Sequence, residues 1–323
     1  MIDLSVCIVS RNTKKLLEAC LRSVYEETGE ISFEIFVVDN ASGDGSAAMI
    51  KEKFPGVVLL VNKENKGFAA ANNQAIHLAK GRYVILLNPD TFIHQGALDK
   101  MVRFMDHHPE AGAAGCRLLN EDGTIQNSVR RFLTFRMALY ENTLLGKTPF
   151  FKKGAEDYKM EGFSFNSLEE VDVAGGAALM LRKTVLDEVG LLDEGYFMFI
   201  EEMDLCRRIW DRQHKVFFIP DAVITHLGGR SRRQNSELVL VMQKSLMRYF
   251  AKFEGAGKTR VFKIFYKPLF IMGIVHHLLF DSLHFIKYKT VRKNLLKSEK
   301  RKAEIKGAFR FLVRDLGYFL AKL

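Results

Sequence analysis

The chain is poor in the features that would staple it or export it. Its four cysteines, Cys7, Cys20, Cys116 and Cys206, are spread over 323 residues with no paired spacing, and three fall within apolar patterns. This argues against a disulfide framework or a cysteine-rich zinc site and predicts buried thiols in a reducing compartment. No glycine stands in the loop Ser10-Arg11-Asn12-Thr13 after the first apolar run. The dinucleotide fingerprint, whose glycines let backbone approach a pyrophosphate, is therefore missing, which argues against a nicotinamide or flavin enzyme. A glycine-rich, lysine-containing phosphate loop is missing there too, which argues against a nucleotidyltransferase. There is no low-complexity tract and no internal repeat. The opening MIDLSVCIVS has neither a basic region nor a signal-length apolar run, so cytoplasmic residence is the expectation.

Net positive charge is scarce over most of the chain. The net charge is +10, yet residues 287–323 hold twelve Lys and Arg against three Asp and Glu, which leaves the first 286 residues at about +1. No nucleic-acid-binding module accompanies this charge, and nucleic acid is not expected as a partner. Hydrophobic residues at 48% and charged residues at 27% are those of an ordinary globular protein, long enough for one large core or two modest domains.

Strand and helix signals alternate in what is present. Leu4–Val9 reads as a strand, followed by a helix with Leu17, Cys20, Leu21 and Val24 on one face. Phe33–Val38 is a second strand, with Asp39 at its tip and Asp44 in the turn ASGDGS. That turn is either a plain connection or a site accepting hydrogen bonds from a base or ribose, as at the carboxyl edge of other open α/β sheets. Val57–Val61 is a third strand. It leads into NKENKGFAAANNQAI, where Gly67 makes the turn and Asn65, Asn72 and Asn73 surround a helix start suited to an anion. The stretch GRYVILLNPD supplies a fourth, fully apolar strand that delivers Asn88 and Asp90 to the sheet rim. A helix follows from Ala97 to about His107, then a strand over Ala113–Leu119 and a hairpin turn at Glu121–Thr124.

Residues 131–166 carry weak periodicity and read either as an acceptor-facing insertion or as a long excursion. VDVAGGAALMLRK, residues 171–183, is a strand entered through Gly175-Gly176, where a ligand or another backbone comes close. After the aromatic run Phe197–Ile200, Glu201, Glu202 and Asp204 crowd a helix start, as dipole complements or as the acids of a lined pocket. Two last strands are predicted about Pro220. His226 lies on the second, and the basic loop with Arg232 and Arg233 after it suits a diphosphate.

In order, VCIVSRN, VDNASGDGS, NKGFAAANNQAI, LLNPD, GGAALMLRK, EEMDLCRR and HLGG resemble the motifs of family-2 inverting glycosyltransferases of the GT-A fold. Asn-Pro-Asp and the EEMDLC helix are most similar to rhamnosyltransferase-type members that build bacterial surface polysaccharides. The resemblance covers residues 3 to about 233. It implies an α/β fold with a mostly parallel central sheet flanked by helices, a nucleoside diphosphate sugar donor linked to dTDP or UDP, and a glycan or lipid-linked acceptor. It also implies a Mg2+ or Mn2+ ion. By position in the motifs, Ser10, Arg11, Asn12, Asp39, Asn40, Asp44, Asn65, Gly67, Asn72, Asn88, Arg232 and Arg233 would bind the nucleotide-sugar, and Gly175 and Gly176 the acceptor. Asp90 would be the main metal ligand and His226 either its second ligand or a structural histidine. Glu202 would be the catalytic base, with Glu201 second and Asp204 structural.

One departure from the family pattern is Asn88, which stands where an aspartate is usual and removes a negative charge from the metal site. Weaker metal binding without nucleotide, and transfer without metal, are both left open by it. The competing reading is a GT-A scaffold that binds nucleotide or glycan without turnover, as a partner subunit.

Catalytic domain and tail are predicted to divide near residue 250, giving 1–250 and a helical appendage over 251–323. In Pro268–Ile286, His276, His277, Asp281 and His284 share one sector of about 140°, and these polar residues interrupt the apolar run too soon for a span. Further on, Ile305, Phe309, Leu312, Leu316, Phe319, Leu320 and Leu323 form an apolar stripe beside Lys302, Lys306, Arg310 and Arg314. Such a tail lies on an anionic membrane surface, here the inner face of the plasma membrane, or packs on the catalytic domain with a solvated basic face.

Overall fold

The computed structural model describes residues 2–228, 236–290, 302 and 305–323. Arg232 and Arg233 lie outside the described residues. The chain divides into two compact units, one of residues 1–132 and 159–228, the other of 133–158 and 229–323. The division thus falls about twenty residues before the predicted break at 250, and it assigns the weakly periodic segment 133–158 to the helical unit.

In chain order the elements are β1 (Leu4–Ser10), α1 (Lys14–Glu27), β2 (Phe33–Asp39), α2 (Ser46–Lys53), β3 (Val58–Val61), α3 (Phe68–Ile76), β4 (Tyr83–Leu87), β5 (Thr91–Ile93), α4 (Ala97–His107), β6 (Ala111–Leu119), β7 (Ile125–Gln126) and β8 (Val129–Arg130). After these come α5 (Phe135–Asn142) and α6 (Pro149–Tyr158), joined by a short 3-10 turn, then β9 (Glu169–Glu170), β10 (Val173–Ala174), β11 (Ala178–Arg182), α7 (Lys183–Val189), α8 (Glu201–Asp211), β12 (Lys215–His226), α9 (Ser236–Phe253) and α10 (Ala256–Thr290).

The first unit is built on a ten-stranded sheet with order β3-β2-β1-β4-β11-β6-β12-β5, to which β7 and β9 add at β6 and β12. Strands β3, β2, β1 and β4 are parallel, whereas β11 is antiparallel to both β4 and β6. This is the α/β architecture the sequence predicts. Strand β4 is buried along its whole length, as its unbroken apolar run requires when both sheet faces are covered. The main core gathers Leu17, Cys20, Leu21 and Val24 of α1 and Leu98, Met101 and Met105 of α4 against the sheet. All four cysteines are buried and free.

Two predicted boundaries are corrected. The two strands expected about Pro220 are one strand, β12, whose register against β6 jumps from Ile219↔Cys116 to Val223↔Arg117. Pro220 has no N–H to give a ladder, and the bulge is where a strand tolerates it. The single strand expected over 171–183 is broken at Gly175-Gly176. β10 pairs with β8 in a small separate sheet, and the chain enters the main sheet only at Ala178.

The second unit is helical and aromatic-cored. Phe135 of α5, Phe250 of α9 and Phe262 of α10 pack with ring centroids 4.5–5.2 Å apart. The stack continues through Tyr266 and Phe270 to Phe311 and Phe319. Tyr266 is buried and donates its hydroxyl to Gln243 Oε1 at 2.7 Å, which satisfies the one polar atom this stack would otherwise strand. The predicted C-terminal stripe does not pack as one face. Phe319, at one edge of it, is buried with Phe311, while Phe309 and Leu320 at the other edge are exposed.

Candidate functional site

Loops at the carboxyl ends of β1, β2 and β4 form one side of the site. Asp39 is buried at the tip of β2 and accepts a hydrogen bond from Ser42 N at 2.8 Å. Across from it, Asn12 sits in the left-handed region, φ 54°, receives Gly43 N on its Oδ1 and donates its own N–H to Ser42 Oγ. Asp44 accepts from Lys14 N, Ser46 N and Ser46 Oγ. Burial works against its charged form, but these hydrogen bonds outweigh burial and hold the carboxyl below its ordinary value. The loops after β1 and β2 are thereby fastened to each other. Ser10 is buried against Thr13, and Arg11 is exposed.

Several residues expected to hold nucleotide also make hydrogen bonds within the protein. Asn40 donates to Asn65 Oδ1 and Gly67 O and accepts from Asn62 Nδ2 and Lys66 N, which fills the amide's hydrogen-bonding capacity. Asn65 also receives Gly67 N. Asn72 is buried and bonds back to Phe68 O, while Asn73 ties α3 to Leu192 and Glu194. At Gly67, φ is 83°, and an added Cβ would lie 2.3 Å from Phe197 O. Only glycine allows this approach, which lets Phe68 N bond Phe197 O at 2.7 Å and joins the start of α3 to the turn before α8.

That turn is strained. Phe199 and Ile200 both have φ of 72°, a conformation disfavoured for any L residue and most of all for a β-branched one. They deliver Glu201, buried, and Glu202, half-buried, into the first turn of α8. Asp204 faces the other way. It is fully buried, receives Arg208 Nε at 2.9 Å and Tyr196 OH at 3.4 Å, and Arg208 also caps the carbonyls of Val189, Gly190 and Leu191. The Glu202 side chain lies beside Gly176, whose added Cβ would sit 3.5–3.8 Å from it. Gly175 N bonds Ser128 O, and the residue after the glycine pair, Ala177, accepts Asn88 N at 2.9 Å. Backbone thus links the glycine pair directly to the end of β4.

Asp90 and His226 meet because β5 turns back and pairs antiparallel with the end of β12, in register Thr91↔His226. Leu227 N bonds Asp90 O, and His226 Nε2 stands 3.3 Å from Asp90 Oδ1 and 3.3 Å from Asn88 Nδ2. The other ring nitrogen, Nδ1, is 2.6 Å from Gln126 Oε1. Gln126 was not singled out in the sequence; it reaches the site through the β6–β7 hairpin, a pairing that no local pattern announces. Its amide orientation follows from its other partners, since Nε2 donates to Asn120 Oδ1 and His226 O. The carbonyl end must then face the ring, so Nδ1 carries a proton, and in the neutral imidazole the Nε2 lone pair faces Asp90. An open depression of about 470 Å³ beside this pair is lined by Asn120, Glu121, Asp122, His226 and Leu227.

The residues present fit a divalent cation. Two acceptors facing each other at 3.3 Å suit a shared positive charge, and adjacent ligands of an octahedral ion with bonds near 2.1 Å lie about 3 Å apart. Two protein donors leave the remaining positions to substrate phosphates and water, the usual arrangement for such ions at phosphate sites. A His ligand whose second nitrogen donates to a fixed acceptor is also the common pattern at metal sites.

Residues 5–184 match the family described as Glycosyl transferase family 2. An N-acetylglucosaminyl-diphospho-decaprenol L-rhamnosyltransferase of Mycobacterium tuberculosis is 28% identical over 242 residues, 71% of this chain and 77% of that protein. Rhamnosyltransferase WbbL of Escherichia coli is 25% identical over 195 residues, 58% of this chain and 70% of that protein. Among solved structures, the mannosyltransferase PcManGT from Pyrobaculum calidifontis, in complex with GDP-Man and Mn2+, aligns with a TM-score of 0.54 at 17% identity, over 96% of this chain and 87% of that one. GalNAc-T7 with UDP, GalNAc and Mn2+ aligns with a TM-score of 0.53 at 17% identity, over 80% of this chain and 51% of that one. With the match covering more than half of its length and the GT-A architecture present, the chain is a glycosyltransferase and belongs to glycosyl transferase family 2.

Proposed function

We propose that the protein transfers a sugar, with inversion, from a nucleoside diphosphate donor to a hydroxyl of a lipid-linked or growing surface glycan. The observation that carries this reading is the convergence of Asp90 and His226, 3.3 Å apart, at the edge that a backbone hydrogen bond from Asn88 to Ala177 joins to the Gly176–Glu202 contact. A cation-binding pair and a carboxylate base on one loop cluster are what an inverting displacement at an anomeric carbon needs. The relatives support rhamnose as the sugar, and we take dTDP or UDP as the nucleotide class.

Glu202 is the base. It takes the proton of the acceptor hydroxyl as that oxygen attacks the anomeric carbon, on the face opposite the departing diphosphate. The strained turn at Phe199–Ile200 fixes where its carboxylate enters the site. Gly175 and Gly176 leave room beside it for the acceptor. Asp39, with Asn12 and Asp44 around it, forms the nucleoside side. Asp90 and His226 hold Mg2+ or Mn2+, which when bound neutralises charge on the leaving diphosphate. The enzyme works at the inner face of the plasma membrane, held to anionic lipid by its helical unit.

A thermal-shift panel with UDP, dTDP and GDP, each with and without Mg2+ or Mn2+, tests the donor site. One nucleotide raising the melting temperature only with metal is the expected result. No stabilisation by any of the three, together with no transfer from the corresponding activated sugars, would favour a non-catalytic scaffold.

A further inference from the structure

The helical unit carries most of the positive charge of the protein. Residues 133–158 and 229–323 hold 26 Lys and Arg against 9 Asp and Glu, net +17, and the α/β unit holds 22 against 29, net −7. The sequence-based estimate, with the basicity confined to the last 37 residues, understates this contrast because residues 229–286 of the helical unit add ten Lys and Arg against three Asp and Glu.

Helix α10 runs 35 residues, about 52 Å at 1.5 Å per residue. One face is consumed by the core: Phe262, Tyr266, Phe270 and Gly273 are buried. The opposite face is apolar and uncovered. At 100° per residue, Val261, Ile264, Phe265, Met272, Leu279 and Leu283 fall in one sector about 100° wide. Ile264 is 68% exposed, Phe265 63%, Leu279 62% and Leu283 67%. This stripe is about 33 Å long, and Arg260, Lys263 and Lys267 run along one of its flanks. Scattered exposed apolar residues need no explanation, but a continuous stripe rimmed by cations does.

By length and composition, Ala256–Phe285 is the one helix among the described residues apolar enough to cross a membrane. The structure argues against a crossing. A span over its most apolar stretch, residues 268–285, would place His276, His277, Asp281 and His284 in hydrocarbon. We infer that α10 lies in the plane of an anionic bilayer, with the Val261–Leu283 stripe seated at the boundary of head groups and acyl chains and the flanking cations among the head groups. This inference rests on the membrane-surface reading above and names the face that carries it.

The test is flotation of the full chain with vesicles of phosphatidylcholine alone or with 30% phosphatidylglycerol, comparing wild type with the double variant Ile264→Glu/Leu279→Glu. Both positions are exposed, so the variant is expected to keep its melting temperature. Wild type should float with the anionic vesicles only, the variant should lose at least tenfold in bound fraction, and alkaline carbonate should release the wild type from cell membranes. Equal flotation of the variant would overturn the stripe while leaving the membrane reading in place. Failure of the wild type to bind either vesicle would overturn both. Resistance to carbonate would make α10 a span. Wild-type dimers that the variant dissolves, with vesicle binding unchanged, would assign the stripe to a second copy of the chain.

Discussion

His226 and Gln126, a hundred residues apart in sequence, are joined by a 2.6 Å hydrogen bond from Nδ1 to Oε1 that turns the other ring nitrogen toward Asp90. If Gln126 fixes that tautomer, its loss should weaken metal binding without touching a ligand. Gln126→Leu is expected to lower Mn2+ affinity in the presence of nucleotide by about tenfold or more, and Gln126→Glu, which keeps the acceptor, to retain it. Titration of Mn2+ followed by electron paramagnetic resonance reads this directly; unchanged affinity in the leucine variant would remove the role.

Glu202→Gln keeps the shape of the side chain beside Gly176 but cannot accept a proton. Turnover should fall by about 10²–10⁴, with nucleotide-dependent thermal stabilisation unchanged. Near-normal turnover would place the base elsewhere.

Gly67→Ala introduces a Cβ into the space held by Phe197 O, at a φ that L residues rarely adopt. The Phe68–Phe197 hydrogen bond should break and the turn before α8 should loosen. The expected loss is about 1–3 kcal/mol in a denaturation midpoint experiment, accompanied by a larger fall in turnover than Ala69→Gly gives.

Asp204→Asn leaves Arg208 facing a neutral partner in a closed site. The expected cost is about 3 kcal/mol of stability, because the buried charge loses its counter-ion. Thermal unfolding measures it, and a change below about 0.5 kcal/mol would mean the pair is structurally idle.

Asp3 is paired with Arg82, whose hydrogen bond, with those from the Ser32 hydroxyl and N–H, pulls the carboxyl down to about 2 from its ordinary 3.8. A depressed folded-state value means that the stabilisation is in place above about pH 4 and is lost as pH falls toward 2. Arg82 is partly exposed and also paired with Asp106, so screening reduces the contribution of the Asp3 pair to about 1 kcal/mol. Arg82→Ala should therefore lower stability at neutral pH and flatten its decline between pH 4 and 2, as urea midpoints across that range would record.

The first four strands, and the acids at the ends of the second and fourth, were legible because each is announced locally: an apolar run that ends at Asp39, or one that turns through Asn88-Pro89 to Asp90. What escaped depends on contacts between distant segments. Gln126 reaches His226 only through a hairpin, and the continuity of β12 through Pro220 depends on β6 beside it. Asn40 sits in a motif that resembles a ligand contact, yet its amide is filled by Asn62, Asn65, Lys66 and Gly67. At the C-terminus a wheel gives the apolar stripe but not which of its edges packs: Phe319 is buried, and Phe309 and Leu320 are exposed.

The bulge in β12 has a consequence for how His226 is addressed. Successive residues of β6, Cys116 and Arg117, pair with Ile219 and Val223, so residues 220–222 are looped out of the count. Excising all three would preserve the parity of everything downstream, whereas excising one leaves an even remainder and forces the ladder either to keep a smaller loop or to flip. In the flipped register His226 would point through the opposite face of the sheet, away from Asp90, with every side chain of the site chemically intact.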